Sequence, residues 1–256
     1  HAQGELFFPI FAAHGEFPRI VASPGDPEEA FYLTAEALNL AWKFQVPVIL
    51  LNDHQLAEST FSTEIDERKV TLEQPSYWTG DGEYKRYLLT ENGVSELAFP
   101  GTKGAIVKSD SYEHDEYGIT TEDPKLTERD AEKRLRKTKA IEDELKRRNT
   151  VKTYGNPQSD VVLVTWGSTK GAVVEVAEDR GLMVVQPLYL NPLPVWELGK
   201  HLQKPKKVVC VEVNSKGQLS TWMKYHGLRV DQNILKYNGR PFTIDEFDDR
   251  IKEVVG

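Results

Sequence analysis

RIVASPGDPEEAFYLTAEALNLAWKFQVPVILLND, residues 19–53, reads as strand, turn, helix and strand in succession. Arg19 opens a short β-branched run that Pro24, Gly25 and Asp26 interrupt. Asp26 is placed to cap a helix, Pro27 occupies its first position, and Glu29 follows three residues after the cap with Glu28 beside it in the first turn. The helix is expected to run to about Phe44. Residues 46–51 then form an unbroken apolar stretch ending at Asn52 and Asp53, the pattern of a strand buried on both faces of a parallel sheet. Upstream, Leu6, Phe7, Ile10 and Phe11 predict a helix over residues 3–13. Residues 1–60 thus read as half of a doubly wound domain, with two strands that need further strands to cover the sheet. A chain that opens at His1 on a helix in mid-domain is expected to have lost or never carried the upstream half.

Working downstream, residues 61–155 lose the helix–strand alternation and read as a connector. Its one firm element is a charged helix over 128–148, capped by Thr127, with Ala131, Leu135, Thr138, Ile141 and Leu145 as a narrow apolar stripe. From residue 156 the alternation returns. Strands are expected near 160–165, 182–186, 207–213 and 233–237, with helices near 169–179, 194–202, 218–226 and 244–255; the last starts with a capping box from Thr243 to Glu246. Residues 156–256 therefore predict a small, mostly parallel α/β domain with helices on both faces.

Composition excludes several partners. Lys and Arg number 32 against 40 Asp and Glu, a net charge of −8 that disfavours nucleic acid and anionic membranes. No apolar stretch approaches the ~20 residues of a membrane span, and no signal peptide is recognisable. One cysteine, Cys210, rules out an intrachain disulfide and a four-thiolate cluster built from this chain, which fits a reducing, cytoplasmic setting. It lies in an apolar strand and reads as an inert core thiol.

Four features could carry chemistry. Gly80-Asp81-Gly82 suggests a thiamine diphosphate and metal motif, but no apolar strand precedes it and residues 108–112 hold no asparagine, so a glycine turn is expected. Gly167, Ser168 and Thr169 stand where a strand meets a helix; their amides suit an anion, or Ser168 or Thr169 simply caps. Residues 110–123 gather six acids around His114 without a Lys or Arg, either a metal loop or a segment docking on its own chain or a partner. Strand carboxyl ends nominate Ser23, Gly25, Asp26, Asn52, Asp53 and His54 by position alone.

HGEFPRIV (14–21), PGDPEEAFY (24–32), FQVPVILL (44–51), EHDEYG (113–118), EDP (122–124), EKRLRK (132–137) and DVVLVTWGSTKG (160–171) together resemble the alpha subunit of 2-oxoacid:ferredoxin oxidoreductases, particularly the 2-oxoglutarate type. The resemblance covers nearly the whole chain and implies its C-terminal part: the second half of the thiamine-pyrimidine domain, the connector, and a transketolase C-terminal-like domain. It implies oxidative decarboxylation of a 2-oxoacid, 2-oxoglutarate or pyruvate-like, with coenzyme A, giving acyl-CoA and CO2 and passing electrons to ferredoxin. Thiamine diphosphate and Mg2+ would lie at the interface with a beta subunit that holds a [4Fe–4S] cluster, so this chain alone is expected to be inactive and to carry no catalytic residue. The family's Tyr-Pro-Ile-Thr-Pro segment and a Thr-Arg pair would precede His1. Carried over residue by residue, His1 and Gln3 become edges of the 2-oxoacid pocket, with Pro9 one to two helical turns on. The competing reading is a non-catalytic α/β scaffold or anion-binding module using the 167–171 turn.

Overall fold

A computed structural model describes residues 3–255. The N-terminal stretch gives α1 (Phe7–Phe11), β1 (Ile20–Ala22), α2 (Pro27–Phe44), β2 (Val48–Leu50) and α3 (His54–Glu58). After a 3-10 turn at Glu67–Lys69, the chain is irregular until α4 (Pro124–Leu145). It continues through β3 (Val151–Gly155), β4 (Val161–Val164), a 3-10 turn at Gly167–Thr169, α5 (Lys170–Asp179), β5 (Met183–Pro187), β6 (Tyr189–Asn191) and α6 (Val195–Leu202). β7 (Lys207–Glu212), α7 (Gln218–Tyr225), β8 (Gln232–Leu235) and α8 (Ile244–Val255) complete it. The α/β class with parallel strands holds.

Two sheets form. The larger has the order β3-β5-β4-β7-β8, parallel except for β3, which runs antiparallel to β5. The smaller has the order β2-β1-β6: β1 and β2 are parallel, and β6 pairs antiparallel with β1. The third strand therefore comes from the C-terminal part of the same chain. β6 escapes sequence reading because three residues are too few for a period of two to register. β2, expected to be covered on both faces, is an edge strand with all three residues only half-buried.

Local capping explains where helices begin. Asp26 accepts the Glu29 amide at 2.8 Å, as its position predicts. The Glu29 carboxylate, however, reaches past the cap to the Gly25 amide at 2.6 Å. α4 starts at Pro124, earlier than Thr127 allows, because Asp123 accepts from the amides of Lys125 and Leu126. The apolar stripe read on α4 holds only at its end: Ile141 and Leu145 are buried against Ile20, Leu33 and Leu40, whereas Leu135 is 70% exposed and Asp130 and Lys133 are buried instead. α1 is shorter than residues 3–13 because Gln3 is held in extended pairing, its amide donating to the Val213 carbonyl at 2.8 Å.

The core does not respect sequence order. Leu6, Ile10 and Val21 pack with Val162, Val164, Trp166, Leu190 and Val208 in one apolar cluster. A buried ionic knot crosses the same junction. Glu29 is 3% exposed, and its Oε1 lies 2.6 Å from Lys170 Nζ and 2.9 Å from Lys152 Nζ. Gln186 Nε2 donates to Oε2 at 2.9 Å, and Lys170 also pairs with Asp26 and donates to the Tyr154 hydroxyl at 3.2 Å. Burial pushes the Glu29 carboxyl up, but the two lysines and the Gly25 amide outweigh it and hold it at about 2. Burial opposes the Lys170 charge, yet Asp26 and Glu29 raise its pKa further. Gly25 must be glycine for this approach: a β-carbon there would stand 2.7 Å from the Gly167 carbonyl oxygen.

Lys170→Met leaves Glu29 a poorly compensated buried charge and should cost about 3–5 kcal/mol in urea or thermal unfolding. The wild type should lose stability of about 3 kcal/mol as pH falls from the ordinary glutamate value of 4.5 through about 2, because the depressed carboxyl must be protonated. Glu29→Gln should flatten that acid limb, as read by chemical unfolding at stepped pH.

Candidate functional site

The carboxyl ends of β1, β2, β4 and β7 converge where the two sheets meet. Asp53, at the end of β2, uses one carboxylate oxygen to cap α3 through the Leu56 amide at 3.1 Å. Its other oxygen accepts the Ser168 amide at 2.9 Å. The anion at the Gly167–Thr169 turn is thus the chain's own carboxylate. Ser168 and Thr169 make no side-chain cap, and α5 starts without one. Ser23 Oγ donates to the Leu51 carbonyl at 2.7 Å, tying the ends of β1 and β2 together.

Gln3 lies across this junction and is 3% exposed. Its Nε2 donates to the Trp166 carbonyl at 2.6 Å, and its Oε1 accepts the Val213 amide at 3.0 Å. Asn214 Nδ2 donates to the Gln3 carbonyl at 3.2 Å. Gln3, Asp53, Gln55, Ser168 and Thr169 line a narrow cleft with about 10 Å³ of space, enough for one water. Pro9 is elsewhere, buried on α1 with its carbonyl accepting Arg19 Nη1 at 3.3 Å. His1 lies outside the described residues.

Sequence reading missed the group that organises the far wall. Glu212, fully buried at the end of β7, accepts the Leu219 and Ser220 amides at 2.8 and 3.0 Å, Asn214 Nδ2 at 2.8 Å and Trp166 Nε1 at 3.3 Å. These four donors, the Cys210 thiol at 3.5 Å and the start of α7 stabilise a carboxylate that no cation pairs with among the described residues. Trp166 and Asn214 are two of the residues that grip Gln3, so Glu212 positions the strap from beneath. The only sequence signal was an acid inside an apolar strand. Cys210 beside it is buried, with its thiol pushed well up by burial and by Glu212, which fits an inert group.

The other motifs resolve structurally. Gly80-Asp81-Gly82 is an exposed turn in which Asp81 accepts from Thr79 Oγ at 3.0 Å. The 113–118 loop docks on its own chain: Glu113 takes a two-pronged contact from Arg134 at 2.8 and 3.2 Å, and Glu116 accepts the Leu89 amide at 2.8 Å and Lys85 Nζ at 3.2 Å. His114 stacks on Tyr87 with centroids 3.6 Å apart. No three His, Cys, Asp or Glu side chains among the described residues are arranged to hold a metal ion. The cleft, too small for a pyrimidine ring and lacking a metal donor set, does not by itself fit thiamine diphosphate with Mg2+. Among the described residues no helix is long and apolar enough to cross a membrane.

The carboxyl ends of parallel strands are where α/β folds bind cofactors, and the family model for the thiamine diphosphate-binding domain of pyruvate flavodoxin/ferredoxin oxidoreductases matches residues 1–133. The chain belongs to this family. Within it, the chain is 38% identical over 262 aligned residues to the alpha subunit of 2-oxoacid:ferredoxin oxidoreductase 1 of Sulfurisphaera tokodaii, covering 99% of this chain and 41% of the relative. It is 35% identical over 263 residues to the alpha subunit of 2-oxoacid:ferredoxin oxidoreductase 2 of Aeropyrum pernix, again covering 99% of this chain and 41% of that one. A solved 2-oxoglutarate:ferredoxin oxidoreductase from Magnetococcus marinus, with 2-oxoglutarate, coenzyme A and succinyl-CoA bound, superposes with a TM-score of 0.89 at 33% identity, covering 100% of this chain and 45% of that chain. The chain spans about two fifths of the length of the curated relatives it matches.

Asp53→Asn keeps the acceptor that caps α3 but turns an amide donor toward the Ser168 N–H. It should cost about 1–3 kcal/mol and accelerate hydrogen exchange at Ser168. Unchanged exchange there would show that the carboxylate does not hold the turn.

Proposed function

We propose that this chain supplies one wall of the active-site cavity of a 2-oxoacid:ferredoxin oxidoreductase alpha subunit and that the cavity is closed by other protein. The observation that carries this reading is the match of the entire chain to a solved enzyme of that class, with the strand ends meeting at the Gln3 cleft. In this reading residues 1–60 belong to the pyrimidine-binding domain, 61–155 to the connector and 156–256 to the transketolase C-terminal-like domain. The reaction joins a 2-oxoacid, 2-oxoglutarate or pyruvate-like, to coenzyme A with loss of CO2, and two electrons leave singly to ferredoxin.

Thiamine diphosphate and Mg2+ sit at the interface with a beta subunit, and that subunit carries the [4Fe–4S] cluster. When bound, thiamine diphosphate supplies the carbanion chemistry. This chain's own contribution is positioning. Gln3, locked by Trp166, Val213 and Asn214, gives the 2-oxoacid pocket a rigid edge; His1, outside the described residues, and Pro9, on α1, are the further edge candidates that the family resemblance implies. The Gly167–Thr169 turn, whose Ser168 amide is taken by Asp53, supports that edge, which favours this reading over the anion-binding module.

Co-expression with the remaining alpha-subunit sequence and a cluster-bearing partner should yield a complex containing iron and thiamine that reduces a low-potential acceptor only when both a 2-oxoacid and coenzyme A are present. The isolated chain should give no turnover. A complex without thiamine, or reduction that does not need coenzyme A, would overturn the proposal.

A further inference from the structure

The buried face of α4 departs from ordinary helix chemistry around its middle. Lys133 and Lys137 stand one turn apart beneath the 86–95 segment. Lys133 is 9% exposed and donates to the Tyr87 carbonyl at 2.8 Å and to Ser95 Oγ at 2.6 Å. Gly93 sits so close above this turn, at φ +74°, that a β-carbon would stand 2.5 Å from the Lys133 carbonyl oxygen and 2.7 Å from the Lys137 nitrogen. Arg86 joins at Tyr87: its guanidinium carbon is 5.1 Å from the ring centre, and Lys133 Nζ is 6.0 Å from the same centre.

What sets Arg86 and Lys137 apart is the lack, among the described residues, of any ion-pair or hydrogen-bond partner; the Asp130 and Glu116 carboxylates act on Lys133 through space, without an ion pair. The other buried cations are all partnered: Lys170 pairs with Asp26 and Glu29, Lys236 pairs with Glu246, and Arg19 donates to the Pro9 and Ala12 carbonyls. Among the described residues the Arg86 guanidinium and the Lys137 ammonium pair with no carboxylate and make no hydrogen bond, although both are half-buried. The Thr90 hydroxyl, in the turn that closes through the Gly93 amide and Thr90 carbonyl at 3.3 Å, is buried and also lacks a partner. Burial and then the neighbouring cations hold the Lys137 and Lys133 ammoniums down to about 8. That is the electrostatic strain a resident anion relieves. Overall the chain is acidic at −8, so its general field does not account for three gathered cations.

We propose that Arg86, Lys133 and Lys137, with the Thr90 hydroxyl, form a binding site for a phosphoryl oxyanion, separate from the Gln3 cleft. A planar guanidinium, two ammoniums and a hydroxyl donor match the several oxygens and near −2 charge of a phosphate better than the single charge of a carboxylate. The site needs no turnover and stands whether or not the proposed reaction is right.

The test uses the full chain titrated by calorimetry with inorganic phosphate and, separately, acetate at constant ionic strength. Phosphate should bind saturably, acetate at least tenfold more weakly, and Arg86→Met and Lys137→Met should each weaken phosphate binding at least tenfold. Lys125→Gln, an exposed charge on the same helix, should bind as the wild type does. Lys137→Met removes a buried unpaired charge, so it should fold at least as stably as the wild type, which circular dichroism checks. In the unmodified chain, phosphate should slow acylation of Lys137 followed by peptide mass mapping. Absence of saturable phosphate binding, equal binding by the variants, acetate binding as strong as phosphate, or unprotected Lys137 would each overturn the proposal.

Discussion

The Glu29–Lys170 pair is the constraint on which the arrangement of this molecule depends. It joins the first turn of α2, in the small sheet, to the start of α5, on the large one, with both side chains nearly out of water. A carboxylate so placed tolerates burial only because every oxygen is met: two lysines, a backbone amide and a glutamine amide share the charge. The close approach of Gly25 to the Gly167 carbonyl follows, and that approach brings the ends of β1 and β4 together where Gln3 and Asp53 meet. Fixing one ion pair thus fixes the relation between a cleft wall drawn from the first sixty residues and another drawn from the last hundred.

Much of the fold was readable because its signals are local. Asp26 before Pro27, the Thr243–Glu246 box and the apolar runs in β4, β5 and β7 lie within a few residues of the structure they dictate. What stayed hidden is non-local. β6 exists because β1 has an open side, a fact that no window around Tyr189 contains. The alternation of β3, Val151 inward and Lys152 half-exposed, was present in the sequence but sat inside a stretch read as connector. On α4 an apolar count chose Leu135, whereas the backbone carbonyl of Tyr87 and the Ser95 hydroxyl draw Lys133 inward.

The site was legible by position more than by chemistry. Asp53 and the 167–169 turn were both nominated, each from the end of its own strand, but their meeting is a property of two sheets and not of either segment. Gln3 emerged through the family resemblance, and its burial with four separate hydrogen bonds makes it a strap across the junction. Glu212 had no such herald. The 113–118 loop, one of the segments that carry the family resemblance, here spends its acids on Arg134, Lys85 and the Leu89 amide, so its composition serves the internal order of residues 85–134.

β2 carries one more implication. Its outer flank offers the unmatched amide and carbonyl groups of Val48 and Leu50, while those of Ile49 face β1, and no charged side chain in the strand discourages another strand from aligning there. Kept by itself at high concentration, the polypeptide has a ready seam for self-adhesion and aggregation. Whether something else lies along that flank therefore bears on how cleanly the isolated polypeptide stays dispersed, ahead of any assay of its chemistry.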